Sequence, residues 1–185
     1  MALEYLTKDE LRKVLAIAAG YGSREACMVA LAYGHALRAS EVVSLTLEDI
    51  RGGKIVCRRG KKSEHTVEVL RSQEIDALTA WLRERGEADG SVFLFTSRQG
   101  SRMSRQQFYN LFRKIAELAG LGEGRVNPHI LKHSYASHMI RAGVDLAFVQ
   151  KAMGHAHISS TVRYTHVTVS EAQAKSNTVV DSILA

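Results

Sequence analysis

The sequence predicts a mainly α fold with one small antiparallel β-sheet, an α+β domain. Three observations carry this. Apolar residues recur at helical spacing through most of the chain. One stretch near residues 54–70 switches to short runs of strand character around a basic turn. The segments between these elements are short and contain no internal repeat or low-complexity tract. At 185 residues the chain suits one domain, residues 1–185, and is long enough to bury a core.

The elements follow in order. Thr7-Lys8-Asp9-Glu10 has the form of a capping box, and Leu11, Val14, Leu15 and Ala18 follow at helical spacing. A second helix is expected from Arg24 to Tyr33, and Ser40 is expected to cap a short one from Glu41 to Leu45. Lys54 to Arg58 and Thr66 to Leu70 read as strands joined by the turn Gly60-Lys61-Lys62-Ser63. Ser72 is expected to cap a helix carrying Ile75, Leu78, Trp81 and Leu82, and Val92 to Phe95 reads as a third short strand. Ser104 is expected to cap a helix whose Phe108, Leu111, Phe112, Ile115 and Leu118 form one apolar face.

Pro128, the single proline, fits the first turn of a helix running to Arg141 and ended by Gly143. A shorter helix is expected over Leu146 to Met153, broken by Gly154, with one more turn leading into Tyr164. A last helix from Ser170 would carry Ala172, Val179, Val180 and Ile183.

Charge points to a polyanionic partner. Lys plus Arg number 25 against 19 Asp plus Glu, for a net charge of +6. The excess is concentrated: Ser91 to Ser170 holds ten basic residues against three acids. A half-chain so biased fits nucleic acid first, with salt-sensitive binding through that face. Two cysteines, Cys27 and Cys57, form no C-x-x-C pair and no disulfide framework, so a reducing, cytoplasmic setting is expected. The N-terminal residues form neither a signal nor a transit peptide, and no apolar run approaches membrane-spanning length, so no membrane partner is expected.

Cutting DNA by transesterification requires a nucleophilic hydroxyl, fixed donors around a phosphate, and an acid for the departing oxygen. The chain contains Leu37-Arg38-Ala39-Ser40-Glu41, then the basic turn with Lys61, then His129-Ile130-Leu131-Lys132-His133, then Gly154-His155, then Tyr164 nine residues later. In order and spacing this set resembles the tyrosine recombinase, or phage integrase, family. That family's signature is an Arg in a G-L-R-x-S-E-like box, a Lys on a β-hairpin, H-x-x-R, G-H, and Tyr. The similarity runs from about Leu6 to Ala185 and leans toward the small invertases that switch fimbrial promoters. It implies the tyrosine recombinase catalytic-domain fold, without the extra N-terminal helical domain that completes a clamp around DNA in most members.

The resemblance implies roles residue by residue. Tyr164 would form a 3′-phosphotyrosine and release a 5′ hydroxyl. Arg38 would clamp a phosphate oxygen with its planar fork. Glu41 would orient its neighbours, or simply favour its helix start as an N-terminal acid. Lys61, rather than Lys62, would protonate the leaving oxygen. His129 would handle the tyrosine proton or bind the phosphate, and His155 would donate to a phosphate oxygen. Lys132 stands where the family has its second arginine. It keeps the charge and loses the fork, so Lys132→Arg is expected to preserve or raise cleavage. Arg58, Arg59, Lys62, Arg102 and Arg105 are expected to face DNA. No cofactor is needed.

His129 and His133 stand at i, i+4, but Ile130 replaces the glutamate of H-E-x-x-H and no third ligand is evident. No metal is expected, and His133 is expected to pack or hydrogen-bond at the far side of the helix start. Partners implied by the resemblance are double-stranded DNA and a homo-tetramer on two DNA sites, monomeric when free, with Ser170 to Ala185 docking on a neighbour. Two other readings fit a basic helical chain. One is a DNA-binding regulator using Gly143 to Tyr164 as a helix-turn-helix, for which the Arg38, Lys61, His129, His155, Tyr164 set would be superfluous. The other is a type IB topoisomerase-like enzyme, against which small size argues.

Overall fold

The computed structural model describes residues 4–59, 65–86, 90–97, 99–155, 159–162 and 164–165. Helices α1 (Lys8–Tyr21), α2 (Ser23–Gly34) and α3 (Ala39–Ser44) lead through a short 3-10 turn (Leu47–Asp49) into a three-stranded antiparallel sheet. Its strands are β1 (Ile50–Arg51), β2 (Lys54–Cys57) and β3 (Thr66–Val69), in that spatial order. Then come α4 (Ser72–Arg85), α5 (Arg105–Leu118), α6 (His129–Arg141), α7 (Leu146–Ala152) and the single turn α8 (Ser159–Val162). No described helix is long and apolar enough to cross a membrane.

The Thr7 box forms as expected: Thr7 Oγ1 accepts from the Glu10 N–H, and the Glu10 carboxylate accepts from the Thr7 N–H. Ser104 and Gln107 make the same reciprocal pair at α5. The expected serine caps at Ser40 and Ser72 do not form. Those helices begin two residues and one residue earlier, with Arg38 and Arg71 at the N-cap. Arginine has no acceptor to offer, so the third helical residue supplies the cap. Glu41 accepts from the Arg38 N–H at 2.8 Å, and Glu74 from the Arg71 N–H at 2.7 Å. Each carboxylate also binds its own arginine's guanidinium.

The apolar faces bury most of the residues the spacing selected. Phe108, Phe112 and Ile115 are fully buried, while Leu118 is exposed because α5 ends there over solvent. On α4, Leu78 and Trp81 are buried, but Ile75 and Leu82 lie toward the outside. The segment 92–95 is not a full strand. It docks by the Leu47 N–H on Val92 O and the Leu94 N–H on Leu45 O, and the Trp81 indole donates to Leu94 O. Helix α2 lies at the centre, against α1, α3, α4 and α6. Gly34 allows this approach, since a Cβ there would sit 1.8 Å from the Glu74 carboxylate. A second, smaller core of Ala36, Tyr135, Ala136, Val149, Ala152, Met153 and Tyr164 joins the end of α2 to α6 and α7.

In the segment that the helix-turn-helix reading would use, the described residues hold α7 and the four-residue α8. The turn 60–64 and the expected C-terminal helix lie outside the described residues.

Candidate active site

Three chain segments meet around the second core. The first is the turn leaving α2. His35 caps the helix, and Ala36 takes a left-handed conformation at φ 48°, the one non-glycine with positive φ among the described residues. The Leu37 N–H returns to Ala32 O, closing the helix end. This turn delivers Arg38 to the surface, its side chain one-third exposed and bound to Glu41 at 2.6 Å. Burial alone would raise the Glu41 carboxyl. The Arg38 backbone N–H, the charge of Lys132 and the Arg38 guanidinium together hold it below the ordinary carboxylate range.

The second segment is the start of α6. His129 lies at its exposed edge. Partial desolvation, then the charges of Lys132 and Arg38, push its imidazole below the ordinary value, so it favours the neutral form. One turn on, His133 Nδ1 is 2.6 Å from the Tyr164 hydroxyl. From the sequence, His133 is expected to pack or hydrogen-bond at the far side of the helix start. Its partner is the candidate nucleophile Tyr164, which is buried. The rings of His129 and His133 are 6.4 Å apart and those of His133 and Tyr164 5.7 Å, so the three form a row of neighbours.

Lys132 departs from its expected position against the phosphate. It is buried, and its ammonium donates at 2.7 Å to both Ala36 O and Met153 O. Burial pushes it down to about 7. It lies on the buried side of α6 and reaches between the other two segments.

The third segment is the turn from Ala152 to His155. Gly154 has φ +61°, and a Cβ on it would come within 2.7 Å of the Arg59 side chain, so glycine is required on both counts. The His155 ring is oriented by a 2.9 Å hydrogen bond between Nδ1 and the buried Thr161 hydroxyl. Thr161 carries no sequence signal of its own that would mark this role.

Of the expected DNA-facing residues, Arg102 and Arg105 are exposed, and Arg58 is largely exposed while its Nε donates to buried Asp49. Lys61 and Lys62 lie outside the described residues. Arg59 corrects the expectation. Its side chain is fully buried, and its guanidinium donates to Ala152 O at 2.5 Å, His35 O at 3.0 Å and Glu68 at 3.1 Å. The two-residue period of β2 explains the difference between neighbours. Ile55 and Cys57 point inward, so Arg59 continues on the buried side while Arg58 faces out.

Behind this centre runs a buried ion network. His35 lies between Glu68, at 2.8 Å, and Glu74, at 3.3 Å. Arg59 and Arg71 bind the far sides of these carboxylates. The Cys57 sulfur is near, with the ligand atoms of His35, Cys57 and Glu68 all within 4.8 Å of one another. Glu68 is already shared by His35, Thr66 and Arg59, and burial pushes the thiol up to about 12, so these donors are committed to the ion network. Burial would lower the His35 imidazole, but its two carboxylate partners outweigh this and hold it above 6.5. Its contribution to stability is therefore complete below pH 6.5 and is lost as pH rises through the higher folded value. Glu68 and Glu74 are held below 4.5, so their contribution is present above pH 4.5 and lost on acidification. Thermal unfolding from pH 5 to 9 should show a falling midpoint on the alkaline side, and His35→Gln should flatten that fall. An unchanged slope in the variant would exclude His35 as its source.

Residues 4–171 match the phage integrase family. The chain is 38% identical over 171 residues to the type 1 fimbriae regulatory protein FimE of Escherichia coli K12, covering 87% of this chain and 84% of that one. It is 35% identical over 182 residues to the tyrosine recombinase XerD of Rickettsia prowazekii, covering 90% of this chain and 56% of the relative. A crystal structure of the XerH site-specific recombinase in a post-cleavage complex with its difH substrate superposes with a TM-score of 0.79 at 25% identity, over 93% of this chain and 52% of XerH. The chain thus spans most of FimE and little more than half of XerD or XerH. It belongs to the phage integrase family and is a tyrosine recombinase by sequence and by fold.

Proposed function

We propose that the chain cuts and rejoins duplex DNA through a 3′-phosphotyrosine on Tyr164, for integration, excision or inversion. The observation that carries this is the 2.6 Å contact between the Tyr164 hydroxyl and His133, in a row that continues to His129. His133 takes the tyrosine proton as the phenolic oxygen attacks phosphorus. The phosphorus–5′ oxygen bond breaks, and the departing oxygen is protonated by Lys61. Arg38 and His155 donate to the phosphate oxygens as negative charge grows on them, which stabilises the transition state more than the ground state. His129 lines the same row and donates or accepts according to its protonation. Free 5′ hydroxyls then attack the phosphotyrosine of another strand, which requires two DNA sites and four protomers. The segment Ser170 to Ala185 links those protomers.

The experiment is covalent capture. The protein is incubated with a pool of nicked duplexes whose arms are randomised, and DNA retained through detergent washing is sequenced. Recovery of a shared site through a phosphotyrosine link supports the proposal. DNA bound only without denaturant would favour a regulator that does not cut.

Binding itself should be strongly salt-dependent. Arg58, Arg102 and Arg105 stand exposed, with Arg38 partly so. A protein neutralising about four phosphates loses on the order of a hundredfold in affinity between 50 and 200 mM salt. Fluorescence anisotropy on a random-sequence duplex should give that fall. A flat response would remove this face as the DNA contact.

A further inference from the structure

Two cations are buried at the junction of the three site segments, and both bind the same oxygen. Lys132 donates to Ala36 O at 2.7 Å, and Arg59 Nη1 reaches it at 3.3 Å. From there each crosses to the third segment, Lys132 to Met153 O and Arg59 to Ala152 O. Burying two like charges together is costly, and an isolated cation would be worse. The cost is offset by Glu41 and Glu68 and by the backbone carbonyls of residues 35, 36, 152 and 153, which accept these bonds. The result joins the strained turn that ends in Arg38 to the turn that ends in His155. The stem of Arg59 also fills the space over Gly154, so that turn is closed from both sides.

We propose that Arg59 and Lys132 form one positioning unit that sets the Arg38 turn against the His155 turn, with the guanidinium placed on the strand and the shorter cation on α6. Both side chains are buried, whereas Arg38 is one-third exposed. An arginine at 132 has no room while Arg59 holds Ala36 O and Ala152 O, and gains room when Arg59 is removed. This rests on the recombinase reading for its rate effects, but its packing logic does not.

The test is a double-mutant cycle in the full chain. Arg59→Leu, Lys132→Arg and the double variant are compared with wild type on a nicked duplex recovered by covalent capture. Single-turnover cleavage, DNA affinity and the thermal midpoint are measured. Each single variant should cut about tenfold slower or worse, since misplacing a fixed donor by an ångström is costly. The double variant should cut faster than either single. DNA affinity should stay within about twofold throughout, because both side chains are buried. Arg59→Lys, which keeps the charge, should recover part of the Arg59→Leu loss. Rates in the double equal to the product of the singles, or Lys132→Arg cutting as fast as wild type, would overturn the proposal. Should wild type itself form no adduct, the recombinase reading fails, and the thermal midpoints still decide the coupling. A double variant melting above either single upholds the shared unit, and additive midpoints refute it.

Discussion

Tyr164→Phe should abolish covalent attachment to DNA and leave DNA affinity near that of wild type. The change removes one oxygen from a buried side chain in the second core, so the ring still packs against Ala36, Tyr135 and Met153. His133, which loses this hydrogen bond, lies part-buried within reach of water. The fold should therefore survive with a modest loss, on the order of 1 kcal/mol. Chemistry has no such reserve, because no other group supplies the attacking oxygen. Gel analysis under denaturing conditions reads the adduct, and anisotropy reads binding. An adduct formed by the phenylalanine variant would transfer the nucleophile elsewhere, with Tyr135 and Tyr109 the first residues to examine.

Arg38→Ala should slow cleavage by about a hundred- to a thousandfold, the typical cost of losing one donor to a developing oxyanion. The structural cost should be small. Glu41 keeps its bond from the residue 38 backbone N–H, and Arg59 and Lys132 still neutralise its charge. Arg38→Lys should fall between, because a point charge keeps the attraction and loses the bidentate geometry. Single-turnover rates at saturating protein check this, with the thermal midpoint as control. Cleavage by Arg38→Ala within a few-fold of wild type would show that this arginine does not act at the phosphate.

Much of this architecture is legible from local rules. Thr7 with Glu10, and Ser104 with Gln107, form because both partners are short-range and both patterns are in the sequence. Ser40 and Ser72 mislead because a glutamate three residues after an arginine caps the same backbone from the other direction. Tyr164 shares one small core with Ala36 from the turn after α2 and Met153 from the turn after α7. The buried cations were less legible. Alternation through Ile55 and Cys57 places Arg59 inside, yet adjacent arginines in a basic turn look like a solvated patch. What decides their burial is a set of backbone carbonyls from residues 35, 36, 152 and 153, brought together only by the tertiary fold. His133 is similar: its i, i+4 relation to His129 was visible, but its contact with Tyr164 spans 31 residues.

The most direct measurement maps the covalent bond. Wild-type protein is trapped on a nicked duplex from the capture pool, digested, and the nucleotide-bearing peptide is sequenced by mass spectrometry. The account predicts a single modified residue, Tyr164, linked to a 3′ phosphate, with a free 5′ hydroxyl on the released strand. A link to any other residue, or cleavage that leaves a 5′ phosphate on the protein side, would contradict it.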